Sequence, residues 1–333
     1  MKVLSLCIPS YNMEAYLGRC VDSLLAEEVI DKLEIIIVND GSKDRTLEIA
    51  NTYRDRYPQS VVVVDKPNGH YGSTVNAALK VATGRYFRLL DADDWFDTKT
   101  LIDFVAALEE HEADCFVTRY SVHYEGENKV VEQPAGQYSG HYSLDTFRLP
   151  EHYFMMHCMT WQLELLKRSN YRQTEGICYT DSQFVCYPMR NARTIYFFDR
   201  SLYQYHRGRS DQSVSRRSVA RNFHHYERLL EGFHANYLAE NPSWNCNALD
   251  AQAFYIYHCT TNLLRSGALY NSYDAQRDAS MRKLFGLFRE RYPQQAQRLQ
   301  NHRLYVKIWH RWPRLGQWLL APFRKYYTVK FSR

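Results

Sequence analysis

The sequence predicts an α/β protein: a mostly parallel sheet with helices on both faces, followed by a helical C-terminal region. Three observations lead there. Short apolar, often β-branched runs alternate with helix-period segments through the first 120 residues. Each of the first four runs ends in a cluster of polar or turn residues. From Val219 to about Leu299 only helical patterns remain. Alternation of strand and helix is the pattern of a parallel sheet with crossover helices.

Each element has its own signal. "VLSLCIP" is a strand that stops at a turn. "AYLGRCVDSLL" places Tyr16, Leu17, Cys20, Val21, Leu24 and Leu25 at helical spacing. "LEIIIVND" reads as a strand buried on both faces. "DRTLEIANTYRDRY" is helical and stops at Pro58, and "SVVVVD" is a third strand. "STVNAALKVATG" predicts a helix capped by Ser73 and terminated near Gly84. "RYFRLL" is a fourth strand, "KTLIDFVAALEEHE" a helix and "DCFVTRYSV" another strand. A hairpin is expected around Gly126, and a mixed region follows to residue 215. The expected division is a catalytic domain over 1–215 and a helical region over 216–333, whose end is basic and amphipathic.

The bulk numbers restrict the class. With 333 residues, 45% apolar and 24% charged, the chain has the make-up of a soluble globular protein with room for a full core. Its eight cysteines form no CxxC pair and mostly sit among apolar neighbours, so reduced, buried thiols and a cytoplasmic setting are expected. The first apolar run ends at Pro9, too early for a signal peptide, and no stretch approaches the roughly 20 apolar residues of a membrane span. The net charge of +5 is uneven. The first 290 residues hold 32 basic and 37 acidic residues, a net −5, whereas the rest holds ten Lys and Arg and no acid.

In an open parallel sheet, ligands bind beyond the carboxyl ends of the strands. The residues there are Pro9 to Asn12, then Asn39 to Ser42, then Asp65 to Tyr71, then Asp91, Asp93 and Asp94. Four polar tips on one edge predict a ligand site. Asp91 and Asp93 are hard oxygen ligands that suit Mg or Mn, and such a cation commonly shares its shell with substrate phosphates. A phosphorylated ligand is therefore expected. Asp94 and Asp97 read instead as loop and helix-capping charges before "KTLIDF". Neither GxxxxGK[ST] nor a GxGxxG after the first strand occurs, which argues against a Walker-type ATPase and a dinucleotide dehydrogenase.

"SLCIPSYNMEAYLGRCVDSLL", "LEIIIVNDGSKDRTLEIA" and "ATGRYFRLLDADDWFD" together resemble the family 2 glycosyltransferases, which have the GT-A fold. The likeness covers roughly the first hundred residues. It implies a UDP-sugar donor, with Pro9 and Tyr11 lining the nucleotide pocket and Asp40 contacting the base. Asp91 and Asp93 match the DxD pair, which contacts the ribose and the cation, Mn or Mg, on the diphosphate. The family's catalytic base is matched by Asp181 in "YTDSQFVCYPM", where Thr180 replaces the usual glutamate. Read alone, Asp181 is a helix cap. "NGHYGSTVN" and the "GRxxQS" element, with Arg209, Gln212 and Ser213, resemble one subgroup. These three residues, with His70 and Tyr71, are expected as donor or acceptor contacts; a solvated loop is the alternative for the first three.

The resemblance implies an inverting, metal-dependent transferase that builds a cell-surface polysaccharide or glycolipid. The tail mixes Trp309, Trp312, Trp318, Leu319, Leu320 and Phe323 with basic residues, so a peripheral place on the inner membrane face is expected, with a glycan or lipid-linked acceptor. The alternative is a helix packed on the protein with a basic outer face. No nucleic-acid partner is expected, since no stacking platform accompanies the tail. Two rival functions stand: a non-catalytic nucleotide- or glycan-binding scaffold, and a sugar nucleotidyltransferase. The latter would want a Gly-rich basic loop after the first strand, which "PSYNMEAYLGRC" does not supply.

Overall fold

The computed structural model describes residues 1–127, 129–133, 138–208, 212, 215–236, 245–312 and 319–320. The chain divides into two compact units. The first holds Met1–Gly176, Thr180–Arg207 and Ser243–Ala248; the second holds Ile177–Tyr179, Gly208–Pro242 and Leu249–Arg333.

The first unit is built on one sheet. Its leading half consists of β1 (Leu4–Ser10), β2 (Leu33–Asp40), β3 (Val61–Lys66) and β4 (Tyr86–Leu89). These run parallel in the order β3-β2-β1-β4, so their carboxyl ends share one edge. All eight residues of β2 are buried, which is why its sequence shows a continuous apolar run rather than alternation. Ile35, Ile36, Ile37 and Val38 are wholly inaccessible, each contributing about 1.5–3 kcal/mol by burial.

The trailing half is mixed. It adds β5 (Trp95–Phe96), β6 (Cys115–Tyr124), β9 (Met159–Gln162) and β10 (Thr194–Arg207), giving β4-β9-β6-β10-β5. Strand β10 runs parallel to β6 and antiparallel to β5, while β9 is antiparallel to both its neighbours. Two short strands, β7 (Val130–Gln133) and β8 (Gly140–Ser143), pair antiparallel with β6 and β10. The expected hairpin around Gly126 is thus β6–β7.

Helices α1 (Leu17–Asp22), α2 (Thr46–Arg56), α3 (His70–Val81), α4 (Thr98–Glu110), α5 (Leu163–Arg168) and α6 (Asp181–Met189) complete the unit. Helix α3 begins three residues before the expected cap. Ser73 lies inside its first turn, where its hydroxyl donates to the His70 carbonyl (2.7 Å) and accepts from Lys66 Nζ (2.8 Å). That hydroxyl is therefore engaged and does not cap. The helix ends at Val81, and Gly84 lies beyond it.

The second unit is helical: α7 (Arg216–Arg221), α8 (Phe223–Ala235), α9 (Cys246–Leu264, in this unit from Leu249), α10 (Ala275–Arg291), α11 (Pro293–His302) and α12 (Leu304–Arg311). Leu229, Leu230, Phe233, Ile256, Leu284 and Phe288 form part of its core. Trp309, expected at a membrane surface, is 3% exposed and donates its indole N–H to Asp278 Oδ1 (2.7 Å). It is a core residue, because α12 turns its apolar stripe inward with Tyr305 and Val306. Trp312 and Leu319 are exposed and Leu320 is buried; Trp318 and Phe323 lie outside the described residues. Among the described residues no helix is long and apolar enough to cross a membrane. All eight cysteines are free, and six of them are buried.

Candidate active site

The carboxyl edge of β3-β2-β1-β4 collects the polar residues. At the end of β1, Pro9 pairs with Val38 of β2, and Tyr11 beyond it is 44% exposed. Asn12 adopts φ +54° and its side chain accepts from Lys43 N (2.8 Å), while its own N–H donates to Ser42 Oγ (3.0 Å). The first two strand tips are thereby tied together. Gly41 turns the chain after β2 at φ +70°; a Cβ there would also stand 2.9 Å from Asn68 N. Glycine is the residue that accepts both demands.

Asp40 ends β2 and is 3% exposed. Its Oδ1 accepts from Lys66 Nζ (2.6 Å) and from Gly69 N (2.9 Å), and its carbonyl accepts from Asn68 Nδ2 (3.0 Å). The loop after β3 therefore folds over the tip of β2. His70 follows at φ +63° and opens α3, which carries Tyr71 in its first turn.

The acidic turn stands after β4. Asp91, Asp93 and Asp94 each offer a carboxylate oxygen, and these oxygens lie within 4.8 Å of one another. Three elements hold the turn. The Tyr71 hydroxyl of α3 donates to Asp91 Oδ1 (2.9 Å) and contacts Met156 Sδ (3.3 Å). Arg19 of α1 donates to the Asp93 carbonyl (2.8 Å) while its guanidinium carbon lies 4.0 Å from the Trp95 ring centre. Tyr203 of β10 donates to Asp94 Oδ2 (2.5 Å), and the next contact along that strand is His206 N to Asp94 Oδ1 (2.7 Å).

Asp97 caps α4 as expected, accepting from Thr100 N (2.8 Å). Asp94 does not fit the loop-charge reading. It is 1% exposed, and burial, followed by the Asp93 and Asp91 charges, pushes its carboxyl well above the usual carboxylate range. The reason is long-range: β10 covers it, which the local sequence does not announce. Asp91 and Asp93 remain partly exposed. Clustered hard oxygens in mutual repulsion, two of them accessible, fit a hard divalent cation.

Asp181 is the first residue of α6, with Thr180 in the cap position. The segment before α6 is docked on α3: Asn76 exchanges hydrogen bonds with the Gln173 backbone (2.9 Å each way), and Gly176 N donates to Gly69 O (2.9 Å). Gly72 permits this approach, since a Cβ there would lie 2.2 Å from Thr174 O. Helix α6 consequently starts beside Tyr71. Burial foremost, then the Asp91 and Asp181 charges, push the Tyr71 phenol up, so Tyr71 feels both carboxylates. Burial also pushes the Asp181 carboxyl up to about 6, opposed by hydrogen bonds from its own and the Ser182 N–H. Thr180 is fully buried, and its hydroxyl has no hydrogen-bond partner among the described residues.

Residues 5–167 match the family model described as glycosyl transferase family 2. The matched segment is just under half of the chain and carries all four strand tips. Over 95 residues the chain is 45% identical to a chondroitin synthase of Pasteurella multocida, covering 28% of this chain and 10% of that protein. Over 120 residues the chain is 32% identical to the poly(ribitol-phosphate) beta-N-acetylglucosaminyltransferase TarS of Staphylococcus aureus, covering 36% of this chain and 21% of TarS. The chain therefore spans only a small part of these relatives. The crystal structure of residues 1–349 of TarS in complex with UDP-GlcNAc superposes with a TM-score of 0.59 at 20% identity, over 95% of this chain and 93% of that one. The fold is thus the GT-A glycosyltransferase fold.

One unit brings together Pro9, Tyr11, Asp40, His70, Tyr71, Asp91, Asp93 and Asp181. Gln212 belongs to the second unit, where it is buried and accepts from Gly208 N (3.1 Å). Arg209 and Ser213 lie outside the described residues. Sequence reasoning missed Tyr203, Arg19 and Lys66. Tyr203 lies 109 residues from Asp94, so no local spacing links them. Lys66 was legible as part of the third strand tip, but not as the partner of Asp40.

Proposed function

We propose that this protein is an inverting glycosyltransferase of cell-wall or cell-surface polysaccharide synthesis, taking a UDP-sugar donor and a glycan or lipid-linked acceptor. The observation that carries the reading is that Asp40, Asp91 and Asp93 follow strands whose carboxyl ends share one sheet edge, with Asp181 near enough for its charge to act on Tyr71. The relatives support it: TarS is named a poly(ribitol-phosphate) beta-N-acetylglucosaminyltransferase and has been crystallised with UDP and with UDP-GlcNAc. The matched Pasteurella proteins are a chondroitin synthase and a hyaluronan synthase.

In this reading Pro9 and Tyr11 line the nucleotide pocket, and Asp40, held by Lys66 and Gly69, receives the base. Asp91 and Asp93 would hold Mn or Mg. When bound, the cation offsets the negative charge of the departing diphosphate. Asp181 takes the proton of the acceptor hydroxyl as its oxygen bonds to the anomeric carbon and the bond to the diphosphate breaks. Its raised pKa suits a base working near neutral pH. Tyr71, between Asp91 and Asp181, orients the metal carboxylate beside the base. His70 is a donor or acceptor contact.

The scaffold alternative retains one supporting observation: Thr180 stands where the resemblance expects a second carboxylate. Asp181→Asn separates the two readings. An enzyme loses at least about 100-fold in turnover with a UDP-sugar while keeping UDP affinity. A wild-type protein that binds UDP yet transfers nothing from any of a panel of UDP-sugars contradicts the enzymatic reading.

A further inference from the structure

We propose that Tyr203 is a positioning residue for the cation: its hydroxyl bolts the Asp91–Asp94 turn to β10 and so fixes where the Asp91 and Asp93 carboxylates stand. This rests on the donor-site reading above and adds to it a residue outside the matched segment.

The phenol oxygen touches both ends of the turn. It donates to Asp94 Oδ2 (2.5 Å) and accepts from Asp91 N (3.2 Å), while the turn itself closes through Asp94 N to Asp91 O (3.0 Å). The second oxygen of Asp94 accepts from His206 N (2.7 Å), so β10 engages both oxygens of that carboxylate. Asp94 is 1% exposed, whereas Asp91 and Asp93 are partly open. The three acids therefore divide their work. Asp94 anchors the turn, and Asp91 and Asp93 present oxygens to the ligand.

Tyr203 is itself rigidly held. It is fully buried, pairs with Phe96 across β5 and β10, and meets the rings of Phe96 (5.8 Å) and His157 (4.6 Å) edge-on. Asp91 and Asp93 repel one another, and an unanchored turn would relax by spreading them. A hard cation then loses its ligand spacing. Outer contacts of this kind typically change metal affinity by about 10- to 100-fold when removed.

The test is calorimetric titration of Mn alone, and of UDP with and without Mn, into the full chain. Tyr203→Phe keeps the ring and removes the bolt. Asp94→Asn leaves one of the two acceptor oxygens, so the turn loses its acceptor for either Tyr203 Oη or His206 N. Tyr205→Phe is the control: Tyr205 is on the same strand, packs on His157 (4.6 Å) and makes no hydrogen bond to the turn among the described residues. Melting temperatures accompany each titration.

Tyr203→Phe and Asp94→Asn are each expected to weaken Mn and Mn-dependent UDP binding by about 10- to 100-fold. Metal-free UDP binding should be unchanged in both, and the double variant no weaker than the worse single one. Tyr205→Phe should bind Mn as the wild type does, even where it melts earlier. Wild-type Mn affinity in Tyr203→Phe, or an equal loss in Tyr205→Phe, overturns the proposal and leaves the donor site standing. If Tyr203→Phe does not fold, Asp94→Asn decides alone by the same criterion. A wild-type chain that binds neither Mn nor UDP overturns the donor-site reading and this inference with it.

Discussion

Lys66 Nζ lies 2.6 Å from Asp40 Oδ1, and the same ammonium also reaches Ser73 Oγ and the Pro67 carbonyl. Asp40 is almost wholly buried, and the Lys66 side chain is 21% exposed. Removing the lysine leaves a buried carboxylate without its counter-charge. Lys66→Met should cost about 2 kcal/mol in urea unfolding, below the 3–5 kcal/mol of a fully buried pair because water reaches the lysine. UDP affinity should fall about tenfold, since Asp40 would no longer be held in place. An unchanged urea midpoint would show that the pair does not contribute.

Tyr71→Phe should leave the fold intact, because the ring remains, and remove one donor from Asp91. The expected result is a loss of about three- to tenfold in Mn-dependent UDP affinity, within the worth of one charge-assisted hydrogen bond. Equal affinity in the two proteins would detach Tyr71 from the site.

The pH dependence follows from Asp181, whose carboxyl is raised to about 6 by burial. If Asp181 is the base proposed above it must be ionised to act, so turnover should fall about tenfold per pH unit below about 6. Stability has the opposite sense. The folded state holds this proton more tightly than the unfolded chain, so the group's contribution to stability declines as pH rises from about 4 to about 6. Asp181→Asn should therefore lose turnover, flatten that part of the stability profile, and be no less stable than the wild type at pH 8. A rate that does not change between pH 5 and 7 would remove Asp181 from the base role.

Arg88 is fully buried in β4 and has no carboxylate partner among the described residues. It donates to Thr160 Oγ1 (2.7 Å), Thr118 Oγ1 (3.0 Å) and the His157 carbonyl, joining β4 to β9 and β6. Burial brings its pKa down to about 10. Arg88→Met leaves those acceptors dry, and a loss of about 2–4 kcal/mol in chemical denaturation is expected, one to two unmade buried hydrogen bonds' worth. A neutral outcome would mean that relief of the buried charge offsets the lost bonds.

Much of this was legible in the chain, for a physical reason. Strands such as "LEIIIVND" are buried on both faces, so their composition alone reveals them, and the strand tips follow directly. The "NDGS" glycine advertises its turn because no other residue adopts that φ so readily. Arg88 was not legible, since a lone arginine in "YFRLLD" looks like a solvent-facing position. Asp94, Tyr203 and Arg19 were hidden for the same cause: their roles arise only when β10 and α1 close around the acidic turn. Trp309 misled because an amphipathic basic helix has one sequence signature whether its apolar face meets lipid or other helices. The Asp278 carboxylate that receives its indole lies 31 residues upstream.

If Asp91 and Asp93, beside Asp40, make a cation-dependent nucleotide site, UDP binding should need both the cation and Asp93. Calorimetric titration of UDP into the wild type and Asp93→Ala, with and without Mn, tests it most directly. Mn-dependent binding is expected in the wild type and should disappear in Asp93→Ala while the variant stays folded. UDP binding that is absent under every metal condition, or indifferent to Asp93→Ala, would contradict it.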